Sequence, residues 1–324
     1  MGRRFAVPPR HVRKPWLVLR PSGEAVGRAR DAAGRKSVSG DIDCVVFSGG
    51  GARCFWQAGF WEAVRSSLPQ PRAVSAVSGG AAIAAILLSG GWTRFFPRFL
   101  ELVADNPGNV HFGNLLRSGS VFPHPRISRD SFLHSVSARA LQRLRAGPDL
   151  RIVISHPPRW LGAWLGALAA AGIDGLEGLL TRRPYTRWVK SLAFETKVVR
   201  ARECADPEAL VRAIFQSSAA PPVFPVTRLG GRPALDGGLV EYVPLSVVSD
   251  CRRPLVLLSR YRATLPGSAR ERYVCPSKPV PVAPWDFASP DRVIATFELG
   301  RADGARFVEQ VAGGRGSASG KRRA

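Results

Sequence analysis

Two short β-branched runs, each feeding a helix through glycines, constrain this chain more than any other feature. "DCVVFS" (43–48) reads as a buried strand and is followed by "GGG". "ARCFWQAGFWEAVRSSL" (52–68) then reads as a helix. "AVSAV" (73–77) is a second strand, and "GGAAIAAILLSG" a second helix closed by Gly90-Gly91. Strand, helix, strand and helix within residues 43–91 make a right-handed parallel unit, which places the chain in the α/β class. Further strands are expected at "LRIVIS" (150–155), "LAFETKVV" (192–199), "RPALDGG" (232–238) and "RPLVLLS" (253–259). Helices are expected at 210–221 and at 289–311, the latter interrupted near Gly300.

The 324 residues, 45% of them hydrophobic, suffice for one large domain or two small ones. Residues 1–40 read as a disordered basic tail, with ten Lys/Arg against two acids and four prolines. The folded domain is expected over 41–311. The Gly/Ser-rich, basic stretch 312–324 reads as a flexible end. Within the domain, 157–190 carries Trp160, Trp164 and Trp188 with flanking arginines; it reads equally as a cap over a site or as a membrane-interface segment. "TRFFPRFLEL" (93–102) presents the same choice.

The glycines of "SGGGAR" (48–53) fit neither known phosphate loop. No Gly-Lys-Ser/Thr follows, and Cys54 stands where a dinucleotide fingerprint needs glycine. Bare backbone N–H groups between a strand and a helix can hold a transient oxyanion, or can simply make a tight turn. Ser78 sits where the second strand turns into its helix, in the window Ala76-Val77-Ser78-Gly79-Gly80. That window approximates the nucleophile elbow G-x-S-x-G, with alanine for the first glycine; the other reading is a packing crossover of small residues. The oxyanion donors would be Gly50 and Gly51, joined by Gly79. Of the five histidines (11, 111, 124, 134, 156) none has a glycine or acid context that marks it as a base. Asp236, in "ALDGGLVEYVP" (234–244), is the acid that stands out, though Asp before two glycines also makes an Asx turn.

Three blocks in order resemble the patatin-like phospholipases: "GGGAR" after a strand, an elbow serine shortly after, and "DGGLVEYVP" far downstream. "SSAAPPVFP" (217–225) is similar to the stretch that leads into that family's Asp-Gly-Gly loop, and "DFASPDRVIATFELGRADG" (286–304) to its closing helix. The resemblance implies a three-layer α/β/α fold with a mostly parallel central sheet, like that of cytosolic phospholipase A2. It implies a Ser–Asp dyad, with Ser78 as nucleophile and Asp236 as base, Gly237 and Gly238 in the proton-acceptor loop, and Gly49, Gly50, Gly51, Arg53 and Gly79 around the oxyanion. Ala76 and Gly80 are the elbow's small residues. Ala76 and Cys54 depart from the family pattern, and neither removes a reacting atom. The implied activity is acyl transfer from a lipid ester to water, with no cofactor and no metal. The rival is a catalytically weak or inactive lipid-binding scaffold that keeps the fold.

The net charge of +23, mostly from arginine, draws the chain to anionic surfaces. Without an RRM, helix-turn-helix or zinc-finger pattern, an anionic membrane is favoured over nucleic acid. Five cysteines without a C-x-x-C pair argue against a disulfide framework and fit a reducing compartment. No secretory signal or apolar run of ~18–20 residues is visible, so the expectation is a cytoplasmic, peripherally membrane-associated protein.

Overall fold

The computed structural model describes residues 42–116, 119–160 and 193–318. The expected tail at 1–40 and most of the expected cap or interface segment, from 161 to 190, lie outside these residues. The strands are β1 (Cys44–Phe47), β2 (Ala73–Val77), β3 (Asp149–His156), β4 (Glu195–Arg200), β5 (Thr227–Leu229), β6 (Arg232–Asp236), β7 (Pro254–Leu257) and β8 (Arg272–Val274). The helices are α1 (Phe55–Val64), α2 (Gly79–Ser89), α3 (Trp92–Ala104), α4 (His124–Ser135), α5 (Ala138–Ala146), α6 (Pro207–Ser217) and α7 (Pro290–Ala318).

β3, β2, β1, β7 and β8 run parallel in that order, which is the product of the strand–helix crossovers. β4, β6 and β5 add antiparallel pairings beyond β3. The result is a mixed central sheet flanked by helices, in the three-layer α/β/α arrangement. β1 and β2 are buried along their whole length, as their unbroken apolar runs require. Their side chains alternate between two layers. Phe47 meets Trp61 of α1 at 6.1 Å on one face. Cys44 and Val46 pack on the opposite face against Val243, Val248 and Cys251.

The register along β3 sets the position of the site. β2 leaves β3 at the pair Val77↔Val153, and β6 enters antiparallel at Ile154↔Asp236. Since β4 occupies the other edge of β3 through the same residues, β2 and β6 share one edge and meet end to end. The C-terminal ends of both strands therefore come together, although 158 residues separate Ser78 from Asp236.

Several expectations shift. α6 starts earlier than 210, because the Asp206 carboxylate accepts the N–H of Ala209 (2.6 Å) as an N-cap and Pro207 opens the helix. It ends at Ser217, before Pro221 and Pro222. α7 is not interrupted at Gly300. A β-carbon there would run into Trp56 O, and one at Gly59 into Phe297 O, so the two glycines let α1 and α7 cross backbone to backbone. α7 also continues past 311, to Ala318. The 93–102 stretch is a cap: Phe95, Phe99, Leu100 and Val103 of α3 are buried, and Phe99 lies 4.9 Å from Phe55.

The cysteine expectation needs correction. Cys44 and Cys251 are joined in a disulfide, with Cys54, Cys204 and Cys275 free. The partners are 207 residues apart and meet only because the 240–251 segment folds back over β1, so no local spacing reveals them. The inference of a reducing compartment, which rested on the absence of bridges, loses that support. Among the described residues no helix is long and apolar enough to cross a membrane.

Candidate active site

The turn after β2 holds Ser78 at φ 54°, ψ −133°, a conformation rare for a residue with a β-carbon and costing about 1–3 kcal/mol. It aims the side chain out of the sheet at the start of α2. Gly80 makes the turn possible, since a β-carbon there would overlap the carbonyl oxygens of Ser48 and Phe47. Ala76, the other elbow position, is a fully buried strand residue paired with Phe47 and Ile152, and its methyl group is accommodated.

Ser78 Oγ donates a hydrogen bond to Asp236 Oδ2 at 2.6 Å. The other carboxylate oxygen accepts the N–H of Gly238 at 2.7 Å, so the Asx turn and the contact with the serine coexist. Gly237 fits only without a side chain, because a β-carbon would overlap Val153 O. Burial lifts the Asp236 carboxyl to about 6, against the pull of the hydrogen bonds from Ser78 and Gly238. The aspartate is thus a stronger base than a free one.

The glycine loop meets the elbow directly: a β-carbon on Gly79 would touch the backbone of Gly51. Gly51 and Gly79 share a cleft wall with Ser78. Two members of the expected donor set are otherwise engaged. The Gly49 amide donates to Tyr242 O (2.9 Å), and Arg53 turns back on the loop, its amide (3.3 Å) and Nε (3.4 Å) both on Gly50 O. Among the described residues the amides of Gly50, Gly51 and Gly79 have no acceptor. Cys54 is fully buried and its thiol is pushed up to about 12 by desolvation, so it is inert filler beneath the loop.

Polar residues that the sequence did not mark hold this loop from below. Tyr242 OH and Ser259 Oγ are 2.7 Å apart, Ser259 Oγ donates to Gly49 O (2.5 Å), and Ser48 Oγ accepts the Ser259 N–H (3.0 Å). Gln57, fully buried, donates to Ser48 O and Leu257 O at 3.1 and 2.9 Å. The one signal for them was a glutamine in an otherwise apolar helix face.

Of the four histidines within the described residues, three make other contacts and the fourth lies at the surface. His111 pairs with Asn106 (3.0 Å), His124 with Trp285 O (2.8 Å) and His156 with Pro233 O (2.7 Å), while His134 is exposed. Burial pushes His124 down, toward the neutral form. Asp43, Cys44 and Cys251 have metal-ligand spacing, but the two sulfurs are bonded to each other. Above Ser78 opens a narrow cleft walled by aromatic and aliphatic side chains, among them Phe95, Phe99, Phe132, Trp285, Ile83 and Ile214.

The patatin-like phospholipase family model matches residues 45–249. Among solved structures the chain is similar to VipD from Legionella pneumophila, with 12% identity and a TM-score of 0.42, over 83% of this chain and 67% of that one. No curated protein matches it. The family match spans both glycine blocks, the elbow and the Asp-Gly-Gly loop, and the chain therefore belongs to the patatin-like phospholipases, a family of lipid acyl hydrolases.

Proposed function

We propose that this protein is a serine lipid acyl hydrolase of the phospholipase A or lysophospholipase type, working through a Ser78–Asp236 dyad. The observation that carries the reading is the 2.6 Å hydrogen bond from Ser78 Oγ to Asp236 Oδ2 at the wall of an apolar cleft. An acyl chain lies among the aromatic residues with its ester carbonyl over Ser78. Asp236 takes the Ser78 proton as Oγ attacks the carbonyl carbon. The N–H groups of Gly51 and Gly79 receive the oxyanion, helped by the positive end of α2. The alcohol leaves with the proton, and water then attacks the acyl-enzyme with Asp236 again as base.

A membrane supplies the substrate in this reading. Asn106 and Asn109 tie the 106–112 loop to Phe287, and Val110, Phe112 (71% exposed) and Trp285 are exposed apolar residues on this side of the molecule. With a net charge of +23, binding to anionic vesicles is expected to weaken as salt rises.

The test is hydrolysis of phosphatidylcholine and p-nitrophenyl esters, with fluorophosphonate labelling alongside. Ser78→Ala and Asp236→Asn are expected to lose about 1000-fold or more in kcat while staying folded. Alanine at His111, His124, His134 or His156 changes kcat only modestly. If one histidine variant abolishes turnover in a folded protein, the dyad is replaced by a Ser–His pair. Absence of labelling in the unmodified chain leaves the inactive lipid-binding scaffold as the reading.

A further inference from the structure

Residues 217–219 touch both halves of the pair. Ser217, fully buried, ends α6. Its Oγ accepts the N–H of Ser78 (2.9 Å) and donates its own proton to Val153 O (2.6 Å). Two residues on, Ala219 O accepts the N–H of Asp236 (2.8 Å).

The head-on meeting of β2 and β6 creates the need for such a group. β2 ends at Val77↔Val153, and the backbone of Ser78 then turns away from β3. Beside this junction Ser78 N–H and Val153 O are buried polar groups, and leaving either unpaired costs about 1–3 kcal/mol. A hydroxyl is one donor with two acceptor sites, so a single serine satisfies both groups. Because its proton is committed to Val153 O, its lone pairs have a defined direction, and one faces Ser78 N–H. The elbow at φ 54° persists only when its surroundings hold it. Ser217 is the side chain that grips its backbone nitrogen.

We propose that Ser217 is a positioning residue that sets Ser78 at attack distance from Asp236, with Ala219 O holding the other half of the pair from the same segment. The inference rests on the hydrolase reading above. It predicts a defect in turnover rather than in substrate binding, since Ser217 does not line the cleft.

The experiment measures steady-state kinetics on p-nitrophenyl butyrate and the rate of fluorophosphonate labelling for the full chain and for Ser217→Ala, Ser217→Cys, Ser217→Thr, Ser89→Ala and Ser78→Ala, each with a thermal melt. Ser217→Ala is expected to lower kcat about 100-fold, with KM within about twofold and labelling slowed by the same factor as kcat. Ser217→Cys keeps the volume and weakens both hydrogen bonds, so it loses about tenfold and serves if the alanine variant does not fold. Ser217→Thr keeps the hydroxyl and recovers most of the turnover. Ser89→Ala removes another buried hydroxyl, one bonded to Ile86 O (3.0 Å), and keeps the unmodified kcat. Unchanged kcat in folded Ser217→Ala or Ser217→Cys, or a loss confined to KM, overturns the proposal while the hydrolase reading stands. An unmodified chain no more active or reactive than Ser78→Ala overturns both.

Discussion

The two halves of the Ser78–Asp236 pair are held in place at different kinds of cost. Ser78 sits in a strained backbone at φ 54°, in a polar contact that needs no charge. Asp236 sits in relaxed backbone, at φ −52°, ψ 123°, at the end of an ordinary strand, but its carboxyl is buried. One half carries conformational strain and the other carries desolvation. Conformational strain is independent of pH, whereas the cost of a buried carboxylate appears only when the group ionises. The two can therefore be separated by experiment.

The largest separation is expected at the serine half. Gly80→Ala pushes a methyl group into the carbonyl oxygens of Ser48 and Phe47. Stability should fall by about 3 kcal/mol, and kcat by about 100-fold if the elbow shifts by an ångström. Both losses should be the same at pH 6 and pH 8 in urea melts and initial-rate assays. A pH-dependent loss would mean that the elbow and the carboxylate are not separable.

The aspartate half is expected to govern the acid limb. With the Asp236 carboxyl at about 6, kcat/KM should fall about tenfold per pH unit below that point and level off above it. A limb near 4 would show that the carboxyl is not desolvated in solution.

The same carboxyl predicts a change of stability of opposite sign to the change of activity. Native Asp236 holds its proton more tightly than the unfolded chain does. Its contribution is therefore most favourable below about pH 4, is lost as pH rises from about 4 to 6, and stays lost above 6. The rise from 3.8 to about 6 corresponds to a ceiling of about 3 kcal/mol. Asp236→Asn does not titrate, so it should be more stable than the unmodified chain at pH 8 and lose that advantage by pH 4. Chemical denaturation at the two pH values measures it; an equal difference at both would remove desolvation as the cost of this half.

The smallest effect is expected at Ala76. Its methyl group is already accommodated between Phe47 and Ile152, so Ala76→Gly should cost about 0.5–1 kcal/mol through backbone entropy alone. Turnover should stay within about threefold. A large gain in kcat would mean that alanine, the departure from the elbow pattern, had been constraining the serine half after all.

The difference between the halves also explains how much could be read from the sequence. The serine half is local. A β-branched run, a serine, two glycines and a small-residue helix lie within Ala73–Ser89, and the strand and helix formed there with the expected bounds. The loop after β1 was legible for the same reason. Asp236 could be singled out as an acid beside glycines, but neither its depth of burial nor its elevated affinity for a proton was readable, because both come from residues elsewhere in the chain.

Local periodicity, small residues and turn chemistry were enough to determine the first strand–helix units, the parallel pairing of β1 with β2 and the family motifs. Long-range register decided the rest. Ser78 and Asp236 meet because β2 and β6 end on adjacent positions of one edge of β3, a fact of pairing between strands far apart in the chain. The Cys44–Cys251 bridge, the Gly59–Gly300 crossing and the grip of Ser217 on the elbow arise the same way. Each depends on which backbone atoms come within a few ångströms after folding, and a pattern of neighbours along the chain holds no record of that distance.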